Sequence, residues 1–455
     1  MASDRDLVGS ILAALIKQQS ESYPSITEGE FPRSLRTGAE GGGALLISRK
    51  IDEDIDRLAV SLKATRPQTA RNFGNEEWRI LVRDLIGPAL ASTDLSKPVN
   101  VAASDILAAV SDGIEDHLAG LAGREYVFGT TLFANNNILP FKIGPVSIES
   151  RDSWLTRKVA DGDIPDLIAR RVRRVWSGGR KHAPLRKALD NLREKDIYNV
   201  IGPCAYVCSV SVKGFGRKAG LQAAATAARL ALTCIALMCV PSSRALDGFR
   251  LRFDGPLFLQ YPLHYSSGKI VLAGSRLKGS PFGPEINPTD WVTLLSDFQT
   301  VVFAAQAILE YFLHPQGIST RPVMLNTLLQ SLLWFHEGCK EPDDLRAVVN
   351  FAASLDALGK GRKVGGILTM LEARLGIVRT DPINSNPGAP TFKAVVEDIY
   401  EDGRSRAIHG TNKKIGHDWE RTRDLSETIA RLALIACMEW TVANPTSNDP
   451  DDLKK

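Results

Sequence analysis

The feature that most constrains this chain is a change of hydrophobic period near residue 285. After Pro284 and Pro288, apolar residues recur at intervals of three and four, the spacing of amphipathic helices. Breakers rich in proline and glycine divide this stretch into predicted helices at 289–313, 321–337, 342–358, 363–375, 391–409 and 417–443. Residues 286–445 are therefore predicted to form an all-α helical bundle.

The preceding region has a different character. Runs of apolar, β-branched and aromatic residues predict strands at 126–133, 138–150, 205–212, 249–253 and 270–273. Two helices are predicted among these strands, at 163–176 and 217–239. Residues 1–125 are predicted to be mainly helical, with helices at 4–20, 50–65, 76–92 and 102–121. The predicted fold class is a multidomain α+β protein, with a helical N-terminal region (1–125), a mixed α/β central domain (126–285) and the helical bundle. The polar tail 444–455 is predicted to fray.

Composition narrows the class of protein without naming a function. Hydrophobic residues make up 44% and charged residues 24% of the chain, which is typical of a soluble globular protein. The formal net charge of +4 is too small to indicate nucleic-acid binding by itself. The longest apolar stretch, 219–240, contains Gln222 and Arg229, which favours a core helix over a membrane span.

Cysteine usage and the start of the chain favour the cytoplasm. The chain has six cysteines but no C-x-x-C pair, so a zinc site is disfavoured and buried thiols in a reducing compartment are expected. Asp4 and Asp6 precede the first apolar run, where a signal peptide carries positive charge. We expect a cytoplasmic protein that binds no membrane and needs no metal or other cofactor.

One segment of the predicted bundle carries chemistry. Arg404 is followed by four residues and then by His409, near the end of a predicted helix. An imidazole with a pKa near 6.5 exchanges protons at neutral pH, and a guanidinium offers a planar fork of donors to phosphate. Together they suit the attack of an RNA 2′-hydroxyl on its own phosphodiester, which requires no metal.

The spacing raises a geometric problem. On a regular α-helix, five residues separate the two side chains by about 140° around the axis. They share a face only if the helix ends between them, and Gly410, directly after His409, is a suitable residue for a helix end. A second copy of the domain is another way to complete the site. The structural alternative is a pair of basic side chains at the negative end of a helix dipole.

Three pieces of sequence, in matching order and spacing, resemble Apea-like HEPN domains, a bacterial group within the HEPN ribonucleases. The segment 404–410, R-S-R-A-I-H-G, resembles the group's R-S-x-x-x-H-G signature. The stretch 328–339, with W-F-H at 334–336, resembles its early helix, which ends in an aromatic pair. The segment 351–358, F-A-A-S-L-D-A-L, resembles its A-L-E-x-L helix, with Asp356 where Glu is usual. The resemblance covers 290–445, about a third of the chain.

The resemblance implies a helical HEPN ribonuclease domain that forms a homodimer and brings two R-x4-H motifs into one RNA-cutting site. It implies that Arg404 and His409 are catalytic, and that Asp356 orients Arg404 from a neighbouring helix. It further implies a role in bacterial anti-phage defence by abortive infection, in which a sensor domain responds to a phage trigger and the nuclease cuts structured RNA such as tRNA. Ser405 and Arg406 lie within the motif and Lys413 and Lys414 follow it, and all four are candidate RNA contacts, although an exposed loop without a ligand is the favoured explanation of the two lysines.

Two further signals lie outside the bundle. Eight Arg or Lys and no acid occur between residues 170 and 187, and this basic run includes Arg173, Arg174 and the aromatic residue Trp176. A basic helix with an aromatic residue suits an RNA backbone and a stacked base, and equally suits a solvated face that pairs with acids elsewhere. The run Gly214 to Gly220 is a G-x-G-x-x-x-G variant of a dinucleotide loop. Bulky Phe215 and the apolar helix behind it favour a structural turn.

These observations leave three hypotheses. The first is an endoribonuclease that works through Arg404 and His409. The second is a catalytically inactive HEPN module that dimerises and binds nucleic acid or nucleotide. The third is a nucleotide-dependent enzyme centred on Gly214 to Gly220.

Overall fold

The structure is a computed structural model of the 455-residue chain. It describes all residues except 1–2, 21–32, 39–42, 68–71, 95, 122, 136, 181–182, 256–257, 267–268, 278–282, 315–319 and 415, and it describes no side chain in 256–282. The chain divides into two units, Met1–Arg124 with Val212–Ala223, and Glu125–Ser211 with Ala224–Lys455. The predicted boundaries near 125 and 285 stay predictions.

In the first unit, amphipathic helices surround one hydrophobic core, because their apolar residues recur at helical spacing. Its elements are α1 Asp4–Ser20, β1 Arg33–Arg36, β2 Ala44–Ile47, α2 Arg49–Ala64, α3 Asn75–Ala91 and α4 Val99–Ala119. Ile11, Ile55 and Val110 are fully buried in this core. Buried Trp78 also satisfies its indole, which donates to the Ala59 carbonyl over 2.9 Å. The predicted helices occur here, whereas the short hairpin of β1 and β2 was not predicted.

A small sheet organises the first half of the second unit. Its strands are β3 Arg124–Thr131, β4 Phe141–Ile143, β5 Val146–Ser150, β6 Tyr206–Val212 and β7 Arg250–Leu251, in the order β4-β5-β6-β3-β7. The recorded pairings of β4 with β5, β5 with β6 and β3 with β7 are antiparallel. Two further strands, β8 Phe258–Ser266 and β9 Lys269–Leu277, form a separate antiparallel hairpin. The predicted strand 138–150 is thus two strands with a turn between them.

In the described part of the chain, five helices lie between the strands of this sheet. They are α5 Arg151–Ala160, α6 Asp166–Trp176, α7 Ala188–Val200, α8 Arg217–Leu237 and α9 Ser242–Gly248. Helix α8 is long and apolar enough to span a membrane, but 72% of its apolar window is buried inside the structure, as in the core helix of a soluble protein. The architecture is α+β, mostly helical with a small antiparallel sheet.

The remainder of the second unit is helical, as its period predicts. The helices are α10 Pro288–Asp297, α11 Gln299–Leu313, α12 Pro322–Lys340, α13 Asp344–Leu358, α14 Lys363–Leu375, α15 Phe392–Glu397, α16 Arg406–Ile408 and α17 Glu420–Ala443. Helix α13 is central, since it packs against α12, α14 and α17 and buries Val348, Phe351 and Leu355 completely. Its neighbours hold it on several sides, which fixes the position of any functional group it carries.

Three expectations for this region are wrong. The predicted helix 289–313 is two helices that meet at Phe298 with a bend of 75°. The predicted helix 391–409 is interrupted by a π-helix, Asp398–Ser405, between α15 and α16. The tail does not fray: Pro450–Lys454 forms a 3-10 helix whose Leu453 is fully buried. Hydrophobic period alone cannot show a tail that anchors itself through one leucine.

Candidate functional site

Arg404 lies on a π-helix, the rarer helix with hydrogen bonds from residue i to i+5. The π-helix packs on α13 at Gly403, where an added Cβ would lie 2.4 Å from Cγ1 of Val348. Only glycine permits this approach, which explains a residue that otherwise weakens helices. The separation of 140° derived for a regular α-helix therefore does not apply to Arg404 and His409.

The Arg404 guanidinium is held by two neighbours. Its Nη1 lies 3.1 Å from Oδ2 of Asp356 and donates to the Tyr400 hydroxyl over 2.8 Å. The guanidinium carbon also lies 5.1 Å from the centre of the Tyr400 ring, within range of a cation–π contact. The Arg404 side chain keeps 26% of its surface exposed. Its Nε is buried and has no hydrogen-bond partner among the residues that the structure describes.

Asp356 connects the π-helix to two further helices. The residue lies near the end of α13, and its Oδ1 accepts a hydrogen bond over 3.3 Å from the backbone N–H of Lys363, the first residue of α14. Its other carboxylate oxygen faces Arg404, so the one side chain fixes α13, α14 and the arginine relative to each other. The pairing is the one that the resemblance implies.

Tyr400 was not predicted as part of the site. It is 5% exposed, and its pKa is raised by burial and secondarily by the charge of Asp356. A hydroxyl that stays protonated beside a carboxylate can steady the guanidinium without competing for its charge. The sequence does contain one indication of this contact: Tyr400 and Arg404 are four residues apart, a spacing that places two side chains on the same face of a helix.

His409 presents the opposite environment. It follows α16 directly, and its imidazole is exposed, with no hydrogen bond to any residue in the described part of the chain. Gly410 adopts a φ of +67°, and the N–H groups of Thr411 and Asn412 both return to the Arg406 carbonyl, over 2.9 and 3.1 Å. The helix therefore ends at Gly410, as predicted. An open imidazole at a helix end is free to reach a ligand.

Within the described part of one chain, the two motif side chains do not bond to each other. No hydrogen bond or ring contact joins Arg404 to His409 in the described residues. A cleft of ≈650 Å³ adjoins the helix end, and Ala407 and Gly410, on either side of His409 in sequence, line it. The opposite wall comes from the start of α13 and from the loop before α17, and includes Asp343, Lys414 and Trp419.

The candidate RNA contacts beside the motif fall into two groups. Arg406 pairs with Asp402, and Lys414 pairs with Asp398 over 2.9 Å and with Asp402 over 2.8 Å. The bond from Lys414 is the largest cause that lowers the pKa of Asp402, and the same bond raises the pKa of the lysine. These charges are already compensated.

Lys413 and Ser405 belong to the other group. Lys413 is exposed and has no ion pair with any described residue, and the Ser405 hydroxyl has no recorded hydrogen bond there. The carbonyl of Ser405 accepts the His409 N–H over 3.1 Å, which ties the serine to the helix end. Lys413 is thus the one of the two lysines whose charge is available to a phosphate.

The basic helix α6 lies elsewhere in the second unit. Arg173 donates to the Thr156 hydroxyl over 2.8 Å, and Arg171 pairs with Glu194 over 2.8 Å. Arg174 is exposed, without a described partner. No recorded bond links Arg173 or Arg174 to the motif segment 398–414. Lys181, a member of the same basic run, lies outside the described residues.

The Gly214 to Gly220 loop holds a carboxylate where a nucleotide loop would hold phosphate. Glu77 accepts from the N–H groups of Lys218 (3.1 Å) and Ala219 (3.5 Å) at the start of α8. A Cβ added at Gly216 would lie 2.3 Å from that carboxylate. The Glu77 carboxylate already occupies the anion position at the N-terminus of α8, where a nucleotide phosphate would bind. The loop is therefore better interpreted as a structural turn.

A second histidine of the helical region is enclosed. His336 on α12 is 8% exposed, and its Nδ1 lies 2.8 Å from the Thr233 hydroxyl on α8. Burial, with help from the charge of Lys340, lowers the pKa of His336 to about 4. Lys340 itself donates to the Leu246 carbonyl, and burial lowers its pKa to about 8. His336 is therefore neutral at physiological pH and serves packing.

Among the residues that the structure describes, neither thiols nor a metal cluster provide another site. All six cysteines are free, and burial raises the pKa of Cys208, Cys234 and Cys437 to about 12, which makes them poor nucleophiles. In the described ranges of the chain, no group of three or more His, Cys, Asp or Glu is placed to hold a metal ion.

Comparison with family models, with curated proteins and with solved structures found no significant match for this chain.

Proposed function

We propose that this protein is a HEPN-type endoribonuclease in which Arg404 binds the scissile phosphate and His409 moves the proton. The observation that carries the proposal is the contrast within the motif: the guanidinium is fixed by Asp356 and Tyr400, while the imidazole is open. A phosphate ligand gains from fixed geometry, because it need not reorganise when charge develops. A proton-transfer group needs access to its substrate.

The reaction consists of one displacement at phosphorus. The imidazole of His409 takes the proton of an RNA 2′-hydroxyl, and that oxygen forms a bond to the adjacent phosphorus. The bond from phosphorus to the 5′-oxygen breaks, and the leaving oxygen takes up a proton from solvent. The products are a 2′,3′-cyclic phosphate and a 5′-hydroxyl. Arg404 stabilises the additional negative charge on the phosphorane oxygens, so the chemistry proceeds without a metal.

A homodimer is the proposed form of the enzyme, as the family resemblance implies, and no hydrogen bond joins the two motif side chains within the described part of one chain. The exposed Ile408, which keeps 60% of its surface in solvent directly before His409, places an apolar side chain where a second copy would approach. In this arrangement each active site combines Arg404 of one copy with His409 of the other.

The biological role is proposed by family resemblance: an anti-phage effector in which the first 285 residues respond to a trigger and release cleavage of RNA such as tRNA, within the cytoplasm. The basic helix α6 is a second proposed RNA surface through Arg174, whose charge has no described partner. Lys413 is proposed as the phosphate contact nearest the motif.

The test is cleavage of total RNA by the purified protein with and without EDTA. His409→Ala is expected to lower the rate by about 10²- to 10⁴-fold, the usual contribution of a proton-transfer group. The matched control is His314→Ala, which removes another exposed histidine of the helical region that does not line the cleft beside the motif, and it should leave the rate unchanged. Equal losses in both variants, or cleavage that EDTA abolishes, would contradict the proposal.

Mixing two inactive variants tests the composite site. Arg404→Ala and His409→Ala chains, each inactive alone, should regain activity when they are co-refolded, because the mixed dimer holds one intact pair. No recovery in verified mixed dimers would place the site within one chain.

The second candidate is a non-catalytic HEPN module that binds nucleic acid or nucleotide. One observation favours it: in the described part of a single chain, Arg404 bonds to Asp356 and Tyr400 and not to His409. RNA binding that survives His409→Ala, in a wild-type protein that never cleaves, would establish this function instead.

A further inference from the structure

The tail of the chain is folded against the helical region. We define the tail clasp as residues 448–455, which include the 3-10 helix Pro450–Lys454. Oδ1 of Asn448 accepts from the N–H groups of Val323 and Met324, at 2.8 and 3.3 Å, and so caps the start of α12. Pro450 and Leu453 are buried. A polar segment that caps a helix and buries two apolar side chains has a fixed place.

The tail clasp forms ion pairs with one turn of the helical region, the turn 359–363 between α13 and α14. Lys360 extends its Nζ to Asp449 (2.9 Å) and to Asp451 (2.7 Å), and Arg362 reaches Asp451 over 3.1 Å. Lys454, within the clasp, also pairs with Asp451, at 2.8 Å. Single surface ion pairs contribute little, but one carboxylate shared by three cations forms a network. These bonds, led by the one from Lys360, hold the pKa of Asp451 well below its usual range.

The same turn needs support because its backbone is unusual. Lys360 and Lys363 both adopt a φ of +57°, a conformation that residues with a side chain rarely take. Gly361 between them donates its N–H to the Asp356 carbonyl over 2.8 Å, and Lys363 donates to the Asp356 carboxylate. The backbone of this turn therefore holds Asp356 by two hydrogen bonds, and the conformation of the turn sets the direction of the Asp356 carboxylate.

We propose that Asp451 is a positioning residue for Arg404, which acts through the turn 359–363 and Asp356. The chain of contacts is continuous: Asp451 holds Lys360 and Arg362, their turn holds Asp356, and Asp356 holds the guanidinium. Among the described residues, no hydrogen bond or ion pair joins the tail clasp to the motif directly. The inference rests on the proposed nuclease only for its consequence on rate, since the mechanical link stands on the contacts alone.

The experiment compares Asp451→Asn with Asp452→Asn in the full-length protein. Both variants change the charge of the same 3-10 helix by one unit, but Asp452 bonds only to Lys455 and Ser447 and not to the turn. Asp451→Asn is expected to lower kcat for RNA cleavage about fivefold with an unchanged KM, because a misplaced phosphate ligand costs rate rather than binding. Asp452→Asn should match the wild type, and Asp451→Glu should restore part of kcat.

Hydrogen exchange separates this inference from the nuclease itself. In Asp451→Asn, the amides of Gly361 and Lys363 should exchange about tenfold faster than in Asp452→Asn, because their bonds to Asp356 open more often. Equal exchange in the two variants overturns the inference whether or not the protein cuts RNA. If wild type does not cleave, the nuclease fails and exchange alone decides the link. Faster exchange with an unchanged kcat in an active wild type also overturns the positioning role.

Discussion

Two histidines of the helical region, His336 and His409, have opposite surroundings. His336 lies between α8 and α12, bonded to Thr233, with a pKa lowered to about 4. His409 lies at a helix end in solvent, without a described partner. The comparison teaches that the residue type gives only the capacity for proton transfer. Exposure and hydrogen bonding decide whether that capacity is used at neutral pH.

The same division separates the charged groups. Ion pairs with acidic side chains hold three of them, Arg404, Arg406 and Lys414. Lys413 and Arg174 have no such pair with a described residue. Groups paired with acids have a fixed geometry, which suits Arg404 as a phosphate ligand, and unpaired groups are available for new contacts. Each prediction below tests one side of this division.

The largest expected effect is a loss in the free energy of unfolding at acidic pH, caused by protonation of His336. Because the folded pKa of about 4 lies below the unfolded value near 6.5, the unfolded chain binds a proton that the folded chain refuses. This contribution to stability is intact above pH 6.5 and is lost as pH falls towards 4, to a total of about 3 kcal/mol. Urea unfolding at pH 7 and pH 4.5 should show this loss in wild type and in His409→Gln.

His336→Gln removes the titrating group, so it should lack this part of the acid dependence although it is less stable at pH 7. If His336→Gln and His409→Gln lose equal stability between the two pH values, the two sites do not differ in the way described.

The next effect concerns the anchor of Arg404. Asp356→Asn leaves a partly buried guanidinium without its ion pair and should lower the free energy of unfolding by about 2 kcal/mol. It should also lower the cleavage rate, since Arg404 then keeps only Tyr400. Asp381→Asn, at an exposed carboxylate without a recorded ion pair, is the control. A stability within error of wild type would mean that the pair does not hold the arginine.

The smallest effect distinguishes the two neighbouring lysines. Lys413→Gln should weaken RNA binding about threefold and reduce the slope of log K against log salt by about one, the loss of one phosphate contact. Lys414→Gln should leave the slope unchanged, because its charge is already paired with Asp398 and Asp402. Fluorescence anisotropy over a salt series measures both. A reduced slope only in Lys414→Gln would reverse the assignment.

Sequence alone predicted the features that depend on local pattern. Helical period predicted α1 to α4 and the succession of helices after residue 285, because each helix buries one apolar stripe. The end of the motif helix at Gly410 followed from glycine chemistry. Helices α5 and α7 were missed, because their many charged residues dilute the apolar period.

Features that depend on distant contacts were not predictable in this way. The π-helix packs through Gly403 against Val348, which lies 55 positions earlier in the chain. The tail clasp depends on acids that meet Lys360 about 90 positions away. The Glu77 carboxylate at the Gly214 loop is equally remote in sequence. Period and composition carry no information about such partners.

The π-helix also changes how the interval between Arg404 and His409 should be counted. A π-helical turn within an α-helix is equivalent to the insertion of one residue into the α-helix. Removing a single residue between 398 and 403 would let the turn relax to the common form and would rotate the arginine away from its carboxylate, without touching either motif residue. The number of residues between Arg404 and His409 therefore does not define their relative position. That position depends on the register of the π-helix against α13.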